Sequence, residues 1–195
     1  MKLRPEFFQR PAIEVAQDLL GKYLVRNFPE GKVMVKIVET EAYLGIDDPA
    51  SHSYQGKITS RNKVMYQPGG VFYVYKIYGI YYCLNVVVNK KDIPQAVFIR
   101  AAQPVSGIEI IMKKRGTKDI KELCNGPGRL TQALGINLDF YGLKVSNTKL
   151  YFLDGEKISK KEIVSAPRVN IDYAGEAKNL PLRFYIKNNP FISRK

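Results

Sequence analysis

The spacing of apolar and polar residues changes period several times along the chain, and each change predicts an element. Between residues 11 and 20, Ala12, Val15, Ala16, Leu19 and Leu20 recur at helical spacing and form one apolar stripe. Pro11 suits the first turn of this helix and Gly21 its end. The period then drops to two. Residues 23–27 and 32–43 read as strands, with Val33, Val35 and Ile37 on one half-buried face. Residues 45–67 are polar and irregular, a long loop with short helical turns at most, and loops of this length inside a domain are usually functional or mobile. Pro68-Gly69-Gly70 makes a turn into a hairpin that runs to residue 88, and another strand follows at 95–102. Ser106-Gly107-Ile108-Glu109 has the form of a capping box and predicts a helix to about residue 114. Residues 126–135 read as a turn and a short helix, with Pro127 near its start and Gly135 past its end. Short strands at 149–152, 163–169 and 182–186 alternate with polar turns. Strands dominate, helices are few, and no repeat or linker divides the chain. The expected fold is α+β: a single domain over residues 1–195, built on a curved, largely antiparallel sheet, flanked by a few helices and carrying a protruding β-hairpin.

Residues 73–82 of that hairpin hold five tyrosines, Tyr73, Tyr75, Tyr78, Tyr81 and Tyr82, in a chain without tryptophan. Their alternation with β-branched residues supports strands, and Tyr78-Gly79 supports the turn. Taken alone, such a segment is equally suited to core and to a stacking surface. Charge changes the picture. With 31 Lys+Arg against 18 Asp+Glu the chain carries a net charge of +13. Nucleic acid suits both features, because phosphates attract the cations and bases stack on the rings. Basic residues are spread along the chain, with local excesses at 57–63, 113–118 and the tail Arg194-Lys195, which favours a folded basic face over a disordered arm. No apolar run reaches the length of a membrane span, and the first residues are charged without an extended apolar core, so neither a span nor a secretory signal is expected. Cys83 and Cys124 have no metal-binding spacing, and a reduced intracellular compartment is the simplest reading.

Candidate chemistry centres on residues 38–52. Glu39 and Glu41 are two apart, so on a strand they share a face. With Asp47-Asp48 they could hold a divalent cation or supply a general base, while on a generic strand two such glutamates are more often solvated. His52 is the only histidine, which excludes a histidine metal cluster, and no serine sits in a nucleophile elbow. Gly126-Pro127-Gly128-Arg129 lacks the lysine and hydroxyl of a phosphate-binding loop.

These pieces also have a familiar order. Glu39-Thr40-Glu41-Ala42-Tyr43, His52, Arg61-Asn62, Tyr73-Val74-Tyr75-Lys76-Ile77-Tyr78-Gly79, Cys83-Leu84-Asn85, Ile99-Arg100-Ala101, Cys124-Asn125-Gly126-Pro127, Gln132-Ala133-Leu134 and Pro181-Leu182-Arg183-Phe184 follow one another along the chain. The set resembles the alkyladenine (3-methyladenine) DNA glycosylases, from Phe8 to about Ser193. Each motif is weak alone; the ordered set is specific. The resemblance implies a cofactor-free, monofunctional, monomeric enzyme that flips alkylated, and in some cases deaminated, purines out of double-stranded DNA and hydrolyses the N-glycosidic bond. It implies use in the cytoplasm, on the nucleoid. It makes Glu41 the general base that activates a water and Arg100 the residue that helps position it, with Glu39 in support. It places the extruded base between Tyr43 on one side and His52 and Tyr75 on the other, with Asn85 disfavouring guanine and Ile171 at the pocket in place of a smaller residue. Tyr78 becomes the wedge that fills the gap in the duplex. Arg61, Lys63, Met65, Ile80, Tyr81 and Arg129 become contacts to the DNA backbone, and Tyr73 and Tyr82 become support. No lysine falls in the matched site motif, so a covalent lyase step is not expected. Two other readings stand beside this one: a metal-dependent nuclease using Glu39, Glu41 and Asp47, and a non-catalytic nucleic-acid-binding protein.

The shared pocket makes a geometric demand. A two-residue loop at Tyr78-Gly79 would place Tyr75 and Asn85 on opposite faces of the hairpin. If both line one pocket, the loop must be odd in length or the ladder must hold a bulge.

Overall fold

A computed structural model describes residues 1–194, and Lys195 of the basic tail lies outside the described residues. Two short helices, α1 (Pro5–Phe8) and α2 (Ala12–Asp18), precede the sheet. The expected stripe of Ala12, Val15, Ala16, Leu19 and Leu20 is buried. Gly21 ends this segment at φ +83°, where an added Cβ would lie 2.5 Å from the Glu156 carbonyl oxygen, so only glycine fits.

The strands are β1 (Tyr23–Phe28), β2 (Gly31–Tyr43), β3 (Val71–Ile77), β4 (Tyr81–Val88), β5 (Gln95–Ser106), β6 (Leu150–Leu153), β7 (Ile163–Ala166) and β8 (Arg183–Ile186). They form one eight-stranded sheet in the order β3-β4-β5-β2-β1-β6, to which β8 adds on β2 and β7 on β8. The pairings are antiparallel, as the alternating pattern predicts. Helices α3 (Ile108–Arg115) and α4 (Pro127–Ala133) pack against each other and onto the sheet. The core between the helices and the sheet is apolar, with Phe8, Leu19, Phe72, Leu84, Ile99, Leu130 and Phe152 among its members. Among the described residues no helix is long and apolar enough to cross a membrane.

Strand β2 positions the site. Its first half lies between β1 and β5, and its second half between β5 and β8. Around Glu39 the register slips twice: Ile37 faces Ala102, Glu39 faces Ala101, and Thr40 faces Ile99. Val38 and Arg100 are thus left over on their own strands, a pair of compensating bulges that frees Arg100 from the ladder.

The hairpin meets the geometric demand. Ile77 faces Tyr81, Tyr75 faces Cys83 and Tyr73 faces Asn85, leaving the three-residue loop Tyr78-Gly79-Ile80. Tyr73, Tyr75 and Asn85 therefore share one face. The loop turns through Tyr78 at φ +50° and Gly79 at φ +72°.

Two expectations are corrected. Ser106 does not open a capping box. It stays in β5 opposite Met34, and Gly107, at φ +70° with no side-chain cap, starts α3. Ladder hydrogen bonds to β2 outcompete the local cap, and an added Cβ at Gly107 would lie 2.6 Å from the Lys32 carbonyl. The strand expected at 163–169 stops at Ala166, because Pro167 has no N–H to continue the ladder. The 45–67 loop, by contrast, is polar with short 3₁₀ turns at Tyr54–Gly56 and Lys63–Tyr66, as expected. Buried Asn62 ties it together, donating to the carbonyls of His52 (2.6 Å) and Lys57 (2.8 Å).

Candidate active site

The end of β2, the 45–67 loop and the hairpin converge on a partly open pocket. Tyr43, His52, Met65, Tyr73, Tyr75, Asn85 and Tyr173 supply most of its lining side chains. The odd hairpin loop is what brings Tyr73, Tyr75 and Asn85 to it together. His52 packs edge-on to Tyr75, with ring centroids 4.8 Å apart, and its Nδ1 lies 2.7 Å from the Tyr73 hydroxyl. On its other nitrogen, Nε2, it faces Arg61 Nη2 at 3.4 Å. A guanidinium only donates, so Nε2 accepts and Nδ1–H donates to Tyr73. Burial and then the Arg61 charge lower the His52 pKa to about 4, which keeps the ring neutral at physiological pH. Arg61 also lies 4.6 Å over the Tyr75 ring. Asn85 is buried and donates to the Tyr73 carbonyl at 3.2 Å.

The glutamate pair lies behind Tyr43, and neither member is solvated: both are 0 % exposed. Glu41 accepts from the Val169 N–H at 2.8 Å and the Tyr43 hydroxyl at 2.9 Å, and Arg100 Nη1 stands 3.3 Å away. Tyr43 thus joins the two halves of the site, its ring lining the cavity and its hydroxyl holding Glu41. Burial drives the Glu41 carboxyl above the ordinary carboxylate value, an effect that Arg100, Val169 and Tyr43 only partly offset. Burial and then the Glu41 charge push the Tyr43 phenol well above its usual value, so it remains a donor. Glu39 is held by Arg100 Nε at 3.2 Å, Arg183 Nη1 at 3.0 Å and the Ser193 hydroxyl at 2.9 Å. Arg100 therefore bridges the two glutamates. Burial alone would lower its pKa, but Glu41 and then Glu39 outweigh burial and raise it.

The acidic set required by a metal-dependent nuclease does not assemble. Glu39 and Glu41 share Arg100, Asp48 is engaged by Arg168, and Asp47 is exposed and apart from them. Among the described residues no three His, Cys, Asp or Glu side chains group to hold a metal ion.

Tyr78 stands at the hairpin tip with 81 % of its surface exposed, flanked by exposed Ile80 and Tyr81. A cleft runs from this tip past Arg129 to Arg100 and Ser193. Arg61 and Lys63 are exposed on the 45–67 loop, while Arg129 is half-buried and bonded to Asn125 at 2.7 Å. Two further expected site residues are buried. Met65, expected on the DNA backbone, is 2 % exposed in the cavity wall, because the 3₁₀ turn at Lys63–Tyr66 points it inward. Ile171, expected against the base, is buried with Ala50, Ala174 and Ala177, and Tyr43 packs against this cluster. Several contacts were not read from the sequence: Arg168, 4.7 Å over the Tyr43 ring, Arg183 and Ser193 on Glu39, and the Tyr73 hydroxyl on His52.

Residues 6–190 match the family model described as methylpurine-DNA glycosylase (MPG). The chain belongs to the methylpurine-DNA glycosylase family. It is 49 % identical over 196 residues to a protein of Natranaerobius thermophilus named "Putative 3-methyladenine DNA glycosylase", with 99 % of each chain covered. Proteins of the same name from Clostridium novyi and Alkaliphilus oremlandii are 46 % and 45 % identical, the alignments covering all of this chain and 99 % and 100 % of theirs. The resemblance read from the ordered motifs is borne out, and the protein is a DNA glycosylase, a hydrolase of N-glycosyl bonds. The glycosylase match includes β2, the hairpin and the Arg100 bulge, and ends before Ser193.

Proposed function

We propose that this glycosylase excises alkylated purines, 3-methyladenine among them, from duplex DNA with a water activated by Glu41. One observation carries the reading. A wholly buried carboxylate with a raised pKa is fixed by Val169, Tyr43 and Arg100 directly behind the aromatic wall of the pocket formed by Tyr43, His52 and Tyr75. A base works best when its pKa approaches the working pH, and the upward shift moves Glu41 in that direction. Its negative charge also stabilises the oxocarbenium-like sugar as the C1′–N bond breaks. Alkylated purines are cationic or electron-poor, so the π-faces of Tyr43 and Tyr75 favour them over ordinary bases. Asn85 beside the cavity disfavours guanine through its exocyclic amino group.

Extrusion costs a few kcal/mol of stacking. Tyr78, held out on its three-residue loop, occupies the vacated space in the duplex, with Ile80 and Tyr81 beside it. Arg61, Lys63 and Arg129 hold the phosphate backbone. No lysine takes part, so water is the nucleophile and the product is an abasic site. The protein acts as a monomer, in the cytoplasm. Deaminated purines such as hypoxanthine form the second substrate class to examine.

The test is base release from duplexes carrying single lesions, with chelator present. Wild-type protein should release free alkylated base, and Glu41→Gln should lose roughly 10²–10⁴-fold in rate while still binding lesion DNA, the range typical of a lost general base. Full activity in Glu41→Gln, or borohydride trapping of a covalent complex, would sink the proposal.

A further inference from the structure

Arg100 reaches Glu41 from a bulge, so no ladder hydrogen bond sets its position. Its orientation must come from side-chain contacts, and each guanidinium nitrogen has one: Nε on Glu39 at 3.2 Å, Nη1 beside Glu41 at 3.3 Å, and Nη2 on the Ser193 hydroxyl at 3.2 Å. Ser193 also holds Glu39. Its hydroxyl donates to Glu39 Oε1 at 2.9 Å and its backbone N–H donates to Oε2. Arg183 fastens the same segment, one Nη1 donating to both Glu39 Oε1 and the Arg194 carbonyl, each at 3.0 Å. A residue 93 positions beyond Arg100 thus closes a ring Ser193–Glu39–Arg100.

We propose that Ser193 is a positioning residue for base excision, latching Glu39 and Arg100 so that the free corner of the guanidinium stays on Glu41. The proposal rests on Glu41 acting as the base. Two chemical facts support it. A serine hydroxyl can donate to a carboxylate and accept from a guanidinium at once, and Ser193 does both. Hydrogen bonds to charged groups are worth more than neutral ones, and the two charged partners here, Glu39 and Arg100, are buried while Ser193 is half-buried. Ser193 and Arg194 also line the cleft that runs to the Tyr78 tip, so the latch faces the side on which DNA docks.

The experiment compares wild type, Ser193→Ala, Ser193→Thr and Glu41→Gln in single-turnover base release across pH, with lesion-DNA affinity measured in parallel. Ser193→Ala should slow release roughly tenfold or more with affinity unchanged, as expected for a lost bond between charged partners. Its ascending pH limb should move to higher pH, because a less well held Arg100 stabilises ionised Glu41 less, so the same single proton is lost only at a higher pH. Ser193→Thr, which keeps the hydroxyl, should restore both rate and limb. Wild-type rate and pH profile in Ser193→Ala overturn the latch, as does a deficit that threonine does not rescue. Glu41→Gln separates the two ideas: if it keeps wild-type activity, the base assignment fails first and the latch falls with it; if it is inactive, the serine variants judge the latch alone.

Discussion

Asp48 and Arg168 form the pair whose disruption has the most calculable consequence. Their side chains are 1 % and 0 % exposed and meet bidentately, Asp48 Oδ1 accepting from Arg168 Nη2 at 2.8 Å and Oδ2 from Nη1. Asp48 also accepts from the N–H groups of Leu44 and Ala50, both at 3.0 Å. Replacing Asp48 with alanine strands a guanidinium in a buried site and unpairs two N–H groups. Breaking a buried pair from one side costs about 3–5 kcal/mol, because the remaining charge is uncompensated. For a chain of this size each kcal/mol moves the melting temperature by ~2–4 °C, so Asp48→Ala should melt roughly 6–20 °C lower. Adding Arg168→Met should recover much of the loss, since the stranded charge goes too. The pH dependence has a definite sign. Burial raises the Asp48 pKa, but the Arg168 pair and the two backbone N–H bonds outweigh it and hold the carboxyl below its ordinary value of 3.8. A depressed folded-state pKa gives stability that is fully present above the unfolded value and lost as pH falls through the folded one. The gap between wild type and variant should therefore be constant near neutrality and shrink only in acid below that value. Calorimetry at several pH values measures both. A cost below ~1 kcal/mol, the range of exposed ion pairs, would refute the reasoning that a buried, unscreened charge is left stranded.

The hairpin tip and the histidine give two further tests. Tyr78→Ala should change stability by no more than ~0.5 kcal/mol, since the ring is exposed, yet lower the excision rate on duplex lesions; an unchanged rate would remove the wedge role. His52 is the only histidine, so its ring resonances in an NMR titration are unambiguous. They should show a pKa near 4 in wild type and a rise in Arg61→Ala as the facing charge is lost; a midpoint near 6.5 in wild type would contradict the buried, neutral ring.

Pattern and resemblance reached different parts of this molecule. Local periodicity found the strands and the apolar stripe of α2, because burial on one face leaves its mark every two or every three to four residues. The parity requirement on the hairpin came from asking two residues to share a pocket, and the three-residue loop satisfies it. What stayed hidden depends on contacts between distant segments. Ser106 carries the local signature of a helix cap, but only the 72-residue return of β5 to Met34 shows that a ladder claims it. Glu39 looks like a solvated glutamate until Arg100, Arg183 and Ser193 arrive from 61, 144 and 154 residues away and make its burial tolerable, and Arg100 does the same for Glu41. Arg168 likewise reads as one basic residue among 31 Lys+Arg until it is seen on Asp48, 120 residues earlier. The cost of burying a carboxylate without partners is several kcal/mol. A sequence that places two acids on an inward strand therefore commits the fold to bringing cations to them. Those cations are Arg100 from β5 and Arg183 from β8, delivered by long-range pairings of both strands with β2 that no local pattern encodes.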